Sequence, residues 1–269
     1  MKSWTVFWKA CILIFLAVTT SAIIIVARPT PPATRIPVIN YHSIMSHEFY
    51  YPINVDNPWI LSEKAFFDHM YFLYKNDFTT LTSDQLIDFL YYGAELPTRP
   101  VILTFDDGYF DNYLFAAPIL RQFGFTGMNF LITSAIPEDT PQMVVYPSQF
   151  MSNTEIFASM DVFEFGSHTH NMHRRANGDP LLTIESVEDI RADIRQSFDA
   201  PLTFATGFAY PFGAYSDNAI RALQEEGVRF AFIGGLDYIY RDTNPFLLPR
   251  FCATSEWTME HFIRIVMGQ

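Results

Sequence analysis

The chain has 269 residues, 49% hydrophobic and 17% aromatic, enough to bury a sizeable core. Lys2, Lys9, Arg28 and Arg35 all precede the first acid, Glu48, so the rest carries 13 of the 17 bases against 29 acids, a net charge of −16. So acidic a body argues against nucleic acid or anionic lipid as partners, and two cysteines in unlike segments, Cys11 and Cys252, imply no disulfide framework.

Taken in order, Ala10 to Ala27 carries no charge and follows Lys2, Trp4, Phe7, Trp8 and Lys9. This predicts one uncleaved transmembrane helix, with a signal peptide cleaved near Ser21-Ala22 and a secreted body as the alternative. Four prolines from Pro29 to Pro37 predict an extended spacer. The expected division is residues 1–28 as anchor, 29–35 as spacer and 36–269 as a domain outside the cell, on a single-pass membrane protein.

The domain opens with a strand, Ile36 to Tyr41, that runs into His42. Ser62 to Asn76 has a Ser cap and apolar residues at helical spacing, which predicts an amphipathic helix. Phe78 to Leu81 reads as a short strand, and a helix capped by Thr82 or Ser83 ends near Gly93. A central strand from Val101 follows, then helix Asp111 to Phe123 and strand Thr126 to Ile132. Pro137 to Pro147 reads as a loop and Ser148 to Met160 as a weaker helix. Strand Val162 to Gly166, helix Thr183 to Ser197, strand Phe204 to Ala209, helix Ser216 to Glu226, strand Phe230 to Ile233 and helix Trp257 to Met267 complete about seven β/α units, without internal repeat.

The chemistry gathers just after strands. Val101-Ile-Leu-Thr-Phe105 ends in Asp106-Asp107-Gly108, two carboxylates on a backbone that Gly108 allows to turn. One could hold a metal while the other handles a proton; an Asp-Gly turn capping the next helix is the bland alternative. Strand Val162 to Gly166 runs into Ser167-His-Thr-His-Asn-Met-His173, and Phe204 to Ala209 runs into Tyr210-Pro-Phe-Gly213. Two imidazoles and one carboxylate with an open fourth position suit a catalytic zinc or similar divalent ion. His168 and His173 are five apart, wrong for one helical face, and His168 shares a strand side with His170, so spacing alone leaves the pair of histidines open. His47, His69 and His261 read as structural or exposed.

Thr104-Phe-Asp-Asp-Gly108, Ser167-His-Thr-xxx-His173 and Phe208-Ala-Tyr-Pro-Phe-Gly213 resemble, in order and spacing, the motifs of polysaccharide deacetylases of the NodB-homology type. The resemblance spans roughly Ile36 to Ile265 and includes Pro37-Val-Ile-Asn-Tyr-His-Ser43 and Leu248-Pro-Arg250. The five-residue histidine spacing is most similar to the branch that deacetylates poly-N-acetylglucosamine.

The resemblance implies a distorted (β/α) barrel and metal-dependent hydrolysis of N-acetyl groups on an extracellular aminosugar polymer. It implies one divalent ion, zinc foremost, held by Asp107, His168 and His173, with Asp106 as general base. Pro211 has no N–H, so the backbone of Phe212 would face the oxyanion; Tyr210, Pro211 and Arg250 are assigned to substrate binding. Two family features are missing: an arginine that orients the base, where Ala209 stands, and a late Leu-x-His acid. Arg250 either replaces that arginine or is a surface charge at a strand end, and His42 is the candidate acid. Peptidoglycan is the alternative substrate, and a non-catalytic carbohydrate-binding barrel the alternative function.

Overall fold

A computed structural model describes residues 33–46, 57–142, 149–201 and 204–269. The expected transmembrane segment, the spacer up to residue 32 and His47 lie outside these residues. Among the described residues no helix is long and apolar enough to cross a membrane.

Seven parallel strands form one curled sheet: β1 (Val38–Tyr41), β2 (Pro100–Asp107), β3 (Gly127–Leu131), β4 (Phe163–Ser167), β5 (Gly207–Ala209), β6 (Phe230–Phe232) and β7 (Phe251–Cys252). Their order is β6-β5-β4-β3-β2-β1-β7, and Thr79–Thr80 pairs with the start of β2. Near the two edges of this order the chain meets itself, because Leu248 bridges to Phe232 in parallel just before β7 pairs with Ile39 and Asn40. The α/β alternation and the curl agree with expectation.

Strand periodicity divides the core. Along β2, Val101, Leu103 and Phe105 pack outward with Phe66, Met70 and Leu73 of α1 (Glu63–Lys75), Leu120 of α3 (Ala117–Phe123) and Phe262 of α7 (Met259–Met267). Ile102 faces inward with Val38, Met128, Phe130, Phe232 and Leu248. Each such buried side chain contributes roughly 1.5–3 kcal/mol. The same parity carries Thr104 and Asp106 inward, at the C-terminal mouth of the curl.

Caps decide the helix ends. Ser62 caps α1, and Thr82 forms a reciprocal box with Gln85 at the start of α2 (Ser83–Tyr91). The expected helix Ser148 to Met160 is shorter: α4 is Asn153–Ala158, begun by the box of Ser152 and Glu155. The expected helix Thr183 to Ser197 is broken, because Ser186 takes the N–H of Asp189 and starts α5 (Val187–Ser197) anew after a turn at Leu181–Ile184. Asp111 to Phe123 opens as a wide π turn at Asn112–Ala116 ahead of Pro118, which has no N–H to give to a regular helix. The last unit before β6 is α6 (Asp217–Glu225), capped by Ser216.

Candidate active site

Adjacent strand residues point to opposite sheet faces, yet Asp106 and Asp107 reach one site. Asp106 arrives by parity; Asp107 has φ +74°, outside the ordinary strand region, and Gly108 continues the turn at φ +81°. The turn needs glycine for this conformation, and a Cβ there would also have to displace Leu131 Cδ2, 2.7 Å away.

After β4, His168 is buried, and its Nδ1 lies 2.7 Å from the Ala209 carbonyl. A carbonyl only accepts, so Nδ1 carries the proton and Nε2 keeps its lone pair for a metal. Burial pushes the His168 pKa down to about 4 against the pull of Asp106, which keeps the ring in its neutral, ligating form. Asp107 Oδ1 is 3.6 Å from His168 Nε2 and 3.3 Å from His173 Nε2. The three donor atoms lie within 4.8 Å of one another. Asp107 Oδ1 is buried without a hydrogen-bond partner, as expected of an oxygen reserved for a cation. One carboxylate and two imidazoles fit a divalent ion. His170 instead meets Thr133 Oγ1 through Nδ1 at 3.0 Å and stands apart from this cluster.

Asp106 is held by Arg250, whose Nη1 and Nη2 donate to its two oxygens at 2.7 and 2.8 Å. The Arg250 side chain is 2% exposed, which removes it from the solvent-facing role open to it in the sequence. Asn40 Nδ2 donates to Asp106 Oδ2 at 3.0 Å, while Asn40 Oδ1 accepts from Thr104 and from Arg250. Burial by itself would raise the Asp106 pKa, but the charge of Arg250 beside it and the Arg250 hydrogen bonds hold it well below the carboxylate range. The Arg250 pair therefore favours the carboxylate form of the resting group.

His42 follows β1, with Nε2 3.9 Å from Asp106 Oδ2 and its ring 4.8 Å from that of Trp59. Phe212 has φ +59° within the turn Pro211–Gly213; the residue is 45% exposed, and its ring lies 4.5 Å from the His173 ring and 4.4 Å from the Arg175 guanidinium. Gly213 adopts φ +66°, and a Cβ there would press on Gly234 N at 2.7 Å. Together these groups line a cavity of about 320 Å³. Tyr210 and Pro211, expected at the substrate, are buried and do not line it. The Tyr210 ring packs instead near Phe208 and Tyr215 in the core under α5 and α6, where burial raises its phenol pKa.

Asn40, Trp59, Gly234 and Cys252 line the cavity without having been assigned a site role in the sequence. Period two offered a signal for two of them, since Asn40 shares a strand face with His42 and Cys252 with Arg250. Trp59 gives no such signal. His69 is structural, as expected: its Nδ1 lies 3.1 Å from Tyr41 Oη, its ring stacks on Phe262 at 3.9 Å, and burial lowers its pKa to about 3.

The family model described as polysaccharide deacetylase matches residues 93–231. The Bacillus subtilis protein YxkH is 28% identical over 225 residues, covering 82% of this chain and 72% of its own. A poly-beta-1,6-N-acetyl-D-glucosamine N-deacetylase of Staphylococcus aureus is 25% identical over 243 residues, 84% of this chain and 81% of its own. Among solved structures, the Streptococcus pyogenes deacetylase PplD in complex with acetate superposes with a TM-score of 0.73 over 87% of this chain and 99% of its own, at 20% identity, a likeness of fold.

Proposed function

The chain belongs to the polysaccharide deacetylase family, and from that premise we propose that it hydrolyses N-acetyl groups on a poly-N-acetylglucosamine-like polymer outside the cell. The observation that carries the proposal is the meeting, at one cavity, of the Asp107, His168 and His173 donor set with an ionised Asp106 locked by Arg250. The likeness to the Staphylococcus aureus enzyme over 84% of the chain supports the choice of polymer.

Asp107, His168 and His173 would hold a divalent ion, zinc by the mixed nitrogen and oxygen donors. Such an ion supplies a lowered pKa for water and charge against the acetyl oxygen. Asp106 takes a proton from the attacking water, and Arg250 keeps the carboxylate unprotonated and aimed. The water oxygen bonds to the acetyl carbon, the C–N bond breaks, acetate leaves, and the sugar nitrogen departs as an amine. His42 gives that nitrogen its proton, and its place 3.9 Å from Asp106 lets the proton taken by one group be returned by the other. The Phe212 N–H is directed to the acetyl oxygen. Trp59 and Phe212, both partly exposed, line the cavity that a pyranose would enter.

The uncharged run Ala10 to Ala27 supports a membrane anchor with residues 36–269 as the catalytic domain on the outer side. Proteolysis of intact cells should release that domain, and recovery of the whole chain from the cytosol would end the topology. The function is tested by acetate release from poly-N-acetylglucosamine and from peptidoglycan with metal-loaded protein. Faster release from peptidoglycan would reassign the substrate; binding of the polymer with no release from either would make the protein a carbohydrate-binding barrel.

A further inference from the structure

The loop between the two candidate metal histidines faces a geometric demand that neither helix nor strand meets. His168 and His173, five apart, must bring their Nε2 atoms to one Asp107 oxygen. The loop does this by putting Thr169, a β-branched residue, at φ +75°, which persists only where its surroundings impose it.

The imposing group comes from α5. Asp193 Oδ1 accepts the N–H of His170 at 2.8 Å, and Asp193 Oδ2 accepts the N–H of Asn171 at 2.7 Å. Both bonds are charge-assisted, and the side chain is buried, with Asp193 7% exposed. Two neighbouring N–H groups need two acceptors and no donor, which a carboxylate supplies; an asparagine would turn its NH₂ toward one of them. One helical turn on, Ser197 receives the hydroxyl of Ser167, and Ser167 Oγ accepts the Thr169 N–H at 3.2 Å, so α5 grips the loop at successive points. The opposite side is carried by backbone bonds from Thr133 to Thr169 and from Ser134 to His170.

We infer that Asp193 is the positioning residue of the metal centre: its carboxylate fixes the loop that sets His168 and His173 at one point, and thereby sets metal affinity. The inference rests on the metal reading proposed above. It touches no substrate, and its effect is read in the ion's binding.

The test titrates the metal-stripped full-length chain with zinc against a competing chelator, and with cobalt, whose visible bands report ligand geometry. Asp193→Ala should bind zinc about 10- to 100-fold more weakly, the usual loss when a partner supporting a ligand is removed, with altered cobalt bands. Asp193→Asn, which keeps one acceptor, should fall between it and wild type. Glu188→Ala, which removes an exposed carboxylate from the same helix, should bind as wild type. If Asp193→Ala does not fold, the Asn variant decides. Wild-type affinity and cobalt bands in a folded Asp193 variant would overturn the inference alone, as would an equal loss in Glu188→Ala. A wild-type chain that takes up neither ion would overturn the metal reading and this inference with it.

Discussion

Replacing Arg250 by Met tests the link between burial, charge and catalysis most directly. Arg250 and Asp106 are both buried and joined by two bonds of 2.7 and 2.8 Å, and Arg250 also donates to Asn40 and to the Ile233 carbonyl. Removing one partner of a buried pair leaves the other charge uncompensated and costs about 3–5 kcal/mol. In wild type the depressed Asp106 pKa gives stability that is present above the unfolded value of 3.8 and lost only in strong acid. In the variant the sign reverses. Burial then dominates, the folded pKa rises above 3.8, and Asp106 holds a proton toward neutrality, so stability falls as pH rises through that window. Urea unfolding should report the lost stability, and the acidic limb of the kcat/KM profile should move to higher pH, with turnover down by about 10² to 10⁴ at neutrality. Adding Asp106→Asn removes the stranded charge and should restore part of the stability, a coupling of about 0.5–3 kcal/mol. A Met variant with the wild-type urea midpoint and an unmoved acidic limb would refute the reasoning.

His42→Ala should keep fold and metal and lose about 10² to 10⁴ in turnover; near-normal turnover in the loaded variant removes His42 from the mechanism. Metal analysis should find the ion retained in His170→Ala and lost in His173→Ala, and the opposite pattern would sink the ligand assignment. Asp111, which ties the Ser43 hydroxyl and the Ile44 N–H to the start of the following helix, has its pKa raised by burial to about 7. The folded state keeps this proton where the unfolded state loses it, so the stability it contributes is full below 3.8 and gone above about 7, roughly 4 kcal/mol in all. Asp111→Asn should flatten that slope in urea titrations from pH 4 to 8, and an unchanged slope would contradict the burial argument.

Much of the fold and the site was legible in residue order, because the relevant forces are local. Alternation of period two and period 3.6 marks the β/α units, and Ser62, Thr82 and Ser216 mark helix starts through bonds reaching only three residues. Chemistry after strand ends, at Asp106, His168 and Phe212, was visible because a parallel curled sheet brings such ends to one mouth. The helix break at Ser186 was missed, although its cap is local, because the apolar pattern runs across it.

The sequence by itself placed Asp106, Asp107, His168, His173 and Phe212 at the mouth; the tertiary structure added Trp59 and Gly234, removed Tyr210 and Pro211, and decided what each residue faces. Arg250 and Asp106 are 144 residues apart, and their pairing exists only because β7 joins β1 beside β2. That long-range contact pairs Arg250 with Asp106, the proposed base, a role the sequence had left open beside that of a surface charge. The choice of His173 over His170 depended on Thr169 at positive φ and on Asp193 beneath the loop, neither of which spacing encodes. Tyr210, one residue beyond β5, turned into the helix-side core instead of toward the cavity. Parity along a strand sets the sheet face of a side chain, but beyond the last ladder bond the backbone turns, and only packing against distant segments determines where the next side chain points.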